Sequence, residues 1–258
     1  VPTWPAPFAR QSLTLDEAND VLPEVHDSAV AFLQRYRLGG LFTPPSVQGT
    51  VLMPSWIGGA GWGATSLDPV HNVLYVKSSN IPILARLSPD TSGRAGVPRY
   101  RIADPIPDRA ASVRIIARDW TFRRQLVRFR VTKPPYGTLT AIDLGTGAQQ
   151  WQVPVGDPPE RARHPELARS DAPPMGVSGP SGGLTTAGGL IFLTGGGSQL
   201  LAIRATDGSL RWSYDLRREA MANPMTYRTR DGRQFVVVAT GGGSDAVLRA
   251  FTLAPERD

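Results

Sequence analysis

The phrase AIDLGTGAQQW at 141–151 returns as AIRATDGSLRW at 202–212, and this recurrence limits the possible folds more than any other feature of the chain. Aligned without gaps, the copies share Ala141/Ala202, Ile142/Ile203, Gly147/Gly208 and Trp151/Trp212. In each, an apolar run enters a glycine-centred turn and a second run returns carrying the tryptophan, which is the layout of a β-hairpin. A hairpin cannot bury both faces of its sheet alone, so repeated copies are expected to stack on one another.

Three further segments supply strands ahead of such hairpins: GWGATSLDPVHNVLYVKSS (61–79), GGLTTAGGLIFLTGG (182–196) and NPMTYRTRDGRQFVVVATGG (223–242). Their turns, DPVHN, AGG and RDGR, hold residues that accept a tight reversal or a positive φ. The runs that follow, VLYV, LIFL and FVVVA, suit strands buried on both faces. Joining GGLTTAGGLIFL to AIRATDGSLRW makes a four-stranded antiparallel blade of about 40 to 45 residues, with the tryptophan filling the gap to the next blade. The expected fold is all-β: a β-propeller of four-stranded antiparallel blades with an N-terminal helix. The 27 glycines and 24 prolines fit many short strands and tight turns.

Residues 1–39 read as an extended entry and an amphipathic helix. TLDE (14–17) has capping-box spacing, so a helix is expected to begin at Thr14 and to be interrupted or restarted at Pro23. Val25, Ala29, Phe32, Leu33 and Tyr36 form one apolar stripe that stops at Gly39 and Gly40. Residues 40–258 are expected to be a partial propeller of roughly four to five blades, with an arginine-rich insertion at about 84–133.

Charge adds a weaker constraint. The chain carries 28 Lys plus Arg against 22 Asp plus Glu, and only Lys77 and Lys133 are lysines. RAASVRIIARDWTFRRQLVRFRVTK (109–133) concentrates arginine among aromatic residues; in VRFRV, Arg128 and Arg130 alternate with Val127, Phe129 and Val131, so a strand would be basic on one face and apolar on the other. With no cysteine, disulfides and thiolate metal sites are excluded. His26, His71 and His164 lack metal-ligand spacing and read as surface histidines, while Asp143 is expected to stabilise its turn. No Ser-His-Asp constellation or phosphate-loop pattern is present, so no catalytic residue and no metal ligand is assigned. No stretch reaches the roughly 20 apolar residues of a membrane span, and VPTWPAPFAR lacks the layout of an export signal.

The first repeat resembles the tryptophan-docking motif of the pyrroloquinoline quinone (PQQ) dependent dehydrogenases, A-x-D-x-x-T-G-x-x-x-W, at Ala141, Asp143, Thr146, Gly147 and Trp151. The second keeps Ala202, Gly208 and Trp212, with Arg204 and Asp207 in place of the acid and the threonine. LFTPPSVQGTVLMPS (41–55), KPPYGTLTAIDL (133–144), GGLTTAGGLIFL (182–193) and ANPMTYRTRDGRQFVVVATGGG (222–243) are similar, in order, to the membrane-bound glucose, quinate and shikimate dehydrogenase branch.

That resemblance implies an eight-bladed propeller with PQQ and calcium on its axis. It also implies oxidation of a sugar or polyol in the periplasm, associated with the inner membrane, and electron transfer to ubiquinone. The blocks are those of the C-terminal part of the propeller, about half of it, so the main cofactor and calcium ligands are expected outside this chain, on remaining blades or an upstream chain. One wall of the cofactor pocket is expected here: Gly61 and Trp62 in IGGAGWGATS, where many members carry Asn before the Trp, and Gly182 and Gly183 in GVSGPSGGLTT, where Pro180 and Ser181 stand in a region that holds a tryptophan in some relatives; the competing roles, which weigh more, are blade packing for Trp62 and tight-turn geometry alone for the two glycines.

The leading expectation is therefore the C-terminal portion of a PQQ-dependent sugar or polyol dehydrogenase, inactive alone. The alternative is a non-catalytic propeller-like scaffold binding an acidic partner or anionic surface through 109–133. Nucleic-acid binding through the same basic segment ranks last.

Overall fold

A computed structural model describes residues 4–55, 58–61, 63–90, 100–103, 112–118, 124–194 and 197–253, with the backbone alone at 103, 112–118 and 124–127. In chain order the elements are α1 (Pro23–Leu33), β1 (Thr50–Leu52), β2 (Thr65–Asp68), β3 (Val73–Ser79), β4 (Ile83–Pro89), β5 (Tyr100–Ala103), β6 (Ser112–Arg118) and β7 (Arg124–Arg130). They continue with β8 (Gly137–Asp143), β9 (Gln149–Pro154), α2 (Pro159–Arg163), α3 (Pro165–Arg169), β10 (Gly183–Thr185), β11 (Leu190–Thr194), β12 (Gln199–Arg204) and β13 (Leu210–Asp215). The last three strands are β14 (Met225–Arg228), β15 (Gln234–Thr240) and β16 (Val247–Phe251).

Two four-stranded antiparallel sheets, β2-β3-β8-β9 and β10-β11-β12-β13, are the first and second blades. The repeated phrases are their outer hairpins, with Ala141 opposite Trp151 and Ala202 opposite Trp212. Each ladder shifts register at the same place, after Ala141 and after Ala202, so the two copies match down to their irregularity. The expected turns close the inner hairpins, with positive φ at Asn72, Gly189 and Gly232.

Alternation along the strands builds the core between blades. Val73, Tyr75, Leu139 and Ala141 of the first blade meet Ile191, Leu193, Leu201 and Ile203 of the second. One residue out of phase, Leu200 packs the other way, with Leu216, Ala220 and Val238 against the third sheet, β14-β15-β16. That sheet is three-stranded among the described residues, and Val247 and Leu248 of β16 are exposed.

Counting residues by blade length led to four to five blades; among the described residues two sheets have four strands. Between its second and third strands the chain leaves the first blade: β4 and β5 join β1 in one sheet, and β6 pairs with β7 beside α1. Val25, Ala29, Phe32 and Leu33 of the helix, the expected stripe, bury themselves on Val51, Met53, Leu84, Phe129 and Val131. In VRFRV, Phe129 and Val131 are buried and Arg128 is exposed as expected, whereas Arg130 is half-buried and the Val127 side chain lies outside the described residues.

Three local expectations are corrected. Thr14 makes no side-chain cap, Leu15–Glu17 is a single 3-10 turn, and α1 starts at Pro23, which is suited to a first helical turn. The cause is tertiary: Lys133 N–H donates to Glu17 O at 2.9 Å and Asn19 N–H to Val131 O at 2.9 Å, which pulls this segment into an extended bridge. The helix also ends at Leu33, because Arg37 pairs with the chain entering β1. His164, expected on the surface, is 5% exposed and stands edge-on to Phe129, a ring position that follows from folding α2 and α3 onto β7. Among the described residues no helix is long and apolar enough to cross a membrane.

Candidate axial binding wall

The innermost strands β2, β10 and β14 are each approached by a loop at the same end of the blades, and these loops converge. Asn223, just before β14, joins all three: its Nδ2 donates to Gly63 O at 2.7 Å, and its Oδ1 accepts from Gly182 N–H at 2.6 Å. Thr185 Oγ1 donates to Ser66 Oγ at 2.9 Å, continuing the seam between β10 and β2. Ser181 Oγ donates to Thr194 O, which pins the second loop to its own blade.

The glycines expected in this wall are brought together. A Cβ on Gly182 would sit 2.2 Å from Gly63 O, and one on Gly183 would sit 2.8 Å from Ile191 Cγ2. Neither has positive φ, so turn geometry does not explain them: Gly182 is required by the approach of the neighbouring blade and Gly183 by Ile191 of its own. Among the described residues other than its chain neighbours, a Cβ on Gly61 would meet Pro180 O, at 3.7 Å. Trp62 lies outside the described residues. Asn223 was not singled out from the sequence, although ANPMTY stands in one of the quoted blocks; the signal for its role is spatial, a partner 160 residues away.

Beneath these loops lies Lys77 of β3, on the same face as Val73 and Tyr75 and 1% exposed. Its backbone N–H donates to Ala64 O at 2.8 Å, and its Nζ to Gly179 O at 2.7 Å. Gly179 N–H in turn donates to Ser79 Oγ at 3.2 Å, so β3 holds this loop twice. Burial lowers the Lys77 amine to about 8 by removing the ammonium from water.

At the outer hairpins the docking geometry is explicit. The Trp151 ring lies on Gly208, where a Cβ would be 2.9 Å from Cε3, and its Nε1 donates to Ala205 O at 3.2 Å. Trp4 takes the equivalent place on Gly147, with Nε1 donating to Thr146 O at 2.7 Å. Trp212 instead faces Phe251 at 5.7 Å between ring centres. Asp143 does stabilise its turn: Oδ1 accepts from Gly145 and Thr146 N–H, each at 2.8 Å, and the Thr146 bond leads in holding the carboxyl below its ordinary range.

Beside the wall, on the same end of the blades, opens a cleft of about 850 Å³ lined by Arg130, Asp157, Glu160, Arg161, Ser178 and Glu219, among others. Arg161 is spent on its own loop, donating to Asp157 Oδ1 and to the carbonyls of Ser170, Ala172 and Pro173. Arg130 donates to Ser178 Oγ at 3.3 Å and lies over the Tyr136 ring, so one arginine of the basic segment faces inward. Among the described residues no group of three or more His, Cys, Asp or Glu is gathered for a metal ion.

Residues 1–236 match the family model for the PQQ glucose/ethanol/alcohol dehydrogenase β-propeller domain. The chain is 30% identical over 222 residues to a probable quinate dehydrogenase (quinone) of Xanthomonas campestris pv. juglandis, covering 83% of this chain and 27% of that protein. It is 31% identical over 216 residues to quinoprotein glucose dehydrogenase A of Acinetobacter calcoaceticus, 81% of this chain and 26% of that one. It is likewise 31% identical over 227 residues to the glycerol dehydrogenase large subunit of Gluconobacter oxydans (strain 621H), 81% and 30% of the two chains. The chain thus spans little more than a quarter of the length of the curated relatives it matches.

Proposed function

Because the chain belongs to the PQQ glucose/ethanol/alcohol dehydrogenase β-propeller family, we propose that it is a C-terminal sector of a PQQ-dependent dehydrogenase whose approach loops form one wall of the cofactor pocket. The observation that carries this reading is the convergence of three approach loops on Asn223, which holds the backbone at Gly63 and Gly182 of neighbouring blades close together. Loops held in this way would border a planar, anionic ring, with the buried Lys77 amine behind them. When bound, PQQ supplies the redox chemistry and a divalent cation polarises its carbonyl. Gly61 and Gly63 would border the ring, Asn223 would keep the loops at a fixed spacing, and the blade seams would exclude water from the axis.

The reaction we propose is oxidation of a sugar, polyol or hydroxy acid, with ubiquinone as electron acceptor, in the periplasm at the inner membrane. The base that takes the hydroxyl proton and the calcium ligands come, in this reading, from the rest of the propeller, so this sector is not catalytic by itself. The test is to titrate the purified chain with PQQ in the presence of calcium, following tryptophan quenching, and then to add glucose, quinate or glycerol with a redox dye. Quenching without dye reduction is expected. Absence of any quenching would overturn the cofactor wall, and dye reduction by the chain alone would overturn its catalytic incompleteness.

A further inference from the structure

Lys77 stands where a charge is costly. Its side chain is 1% exposed, and of the three N–H bonds of its ammonium one is used, on Gly179 O. Buried lysines are rare without an acidic partner, because the low-dielectric surroundings disfavour the charged form. None is supplied among the described residues: burial is the one influence on its amine, and the residues it pairs or bonds with, Ala64, Leu139 and Gly179, are uncharged. The charged side chain bonded to Ser178, next to Gly179, is itself a cation, Arg130. A methionine or leucine would fill the same interblade space without this cost, so the blade core does not call for an amine.

The position sets the amine against the axial loops. Lys77 is paired through its backbone to Ala64, between Gly63 and the first residue of the innermost strand, and its Nζ reaches the loop that carries Gly182. We propose that Lys77 is an anion-receiving residue, its amine taking a carboxylate of a ligand held at the axial loops. This rests on the reading of those loops as a cofactor wall. Two carboxylate sources share the chemistry: PQQ, a tricarboxylic acid, and a hydroxy-acid substrate such as quinate. A charge-assisted bond from a fixed, buried ammonium would orient either one.

The test compares the 258-residue chain with Lys77→Met and Lys77→Arg, each checked by thermal melting. PQQ, quinate and glucose are titrated separately at pH 7 and pH 9 in the presence of calcium. For the carboxylate that Lys77 receives, Lys77→Met is expected to weaken binding about tenfold or more at pH 7. Wild-type affinity should fall from pH 7 to pH 9 while Lys77→Arg keeps its affinity at both, and glucose should be indifferent to all changes. Loss confined to PQQ assigns the carboxylate to the cofactor, and loss confined to quinate assigns it to the substrate. Equal affinities of wild type and Lys77→Met for both acids, at both pH values, would mean that water alone completes the amine; that overturns this inference while leaving the cofactor wall standing. No binding of either acid by the wild type overturns both.

Discussion

At the scale of single residues, the ionisation of Lys77 gives a signature that needs no ligand. Its folded value of about 8 lies below the ordinary 10.5, so between these pH values the unfolded chain holds a proton that the folded chain has released. Stability therefore rises with pH from about 8 towards 10, by up to about 3 kcal/mol over the whole interval. Urea unfolding at pH 7, 8, 9 and 10 should show this rise in the wild type and its loss in Lys77→Met; an equal rise in both would assign it to other groups. Above pH 10 the sign reverses, because burial raises the Tyr136 phenol and the unfolded chain then ionises first. Only part of this was legible beforehand. Strand alternation puts Lys77 on the Val73 and Tyr75 face, but its burial depends on Gly179, 102 residues away, closing over it. Asp143 is the opposite case: both backbone partners of its carboxylate lie within three residues, so its role was readable from the turn.

At the scale of elements, the docked hairpin explains why both repeats keep glycine. Gly147 and Gly208 have φ of 73° and 72°, and each receives the face of a tryptophan. Gly208→Ala meets two penalties, left-handed backbone strain of about 1–2 kcal/mol and overpacking against Trp151 of about 1–3 kcal/mol. Gly232→Ala, at φ 87° with nothing near the new methyl, meets only the first. Denaturant unfolding should rank Gly208→Ala below Gly232→Ala by at least about 1 kcal/mol, and adding Trp151→Ala to Gly208→Ala should cost less than the sum of the two single changes. Equal losses for the two glycines would remove the docking contact as the cause. The conservation of the turn shape between copies, despite Arg204 and Asp207 in the second, has a visible source: Asp207 Oδ1 accepts from Ser209 N–H at 2.9 Å and Arg204 pairs with Asp207 at 2.9 Å. An acid has moved within the turn without changing its path.

At the scale of the molecule, the first blade and the insertion are separable. Ser79 pairs with Gly137, and Asn80 N–H donates to Tyr136 O at 2.9 Å, so the chain leaves and re-enters the blade at one point. Replacing residues 81–135 by Asn-Gly would close β3 and β8 as a two-residue hairpin. Hydrogen exchange should then show protection retained in β3, β8, β11 and β12 and lost in α1, whose apolar stripe would have lost Leu84, Phe129 and Val131. Retention of the helix would show that it is held by the blades instead. The amino-acid sequence by itself determined the repeated hairpins, their turns, the four-stranded blade and the family, because turn chemistry and strand alternation act over a few residues and leave a pattern there. Only the tertiary structure decided that TLDE becomes a single turn followed by a bridge from Ala18 to Thr132, that His164 is buried, that Asn223 joins three loops and that Lys77 is sealed beneath them. Each depends on a partner far along the chain, whose arrival is fixed by how the blades stack and carries no periodic trace in the residues themselves.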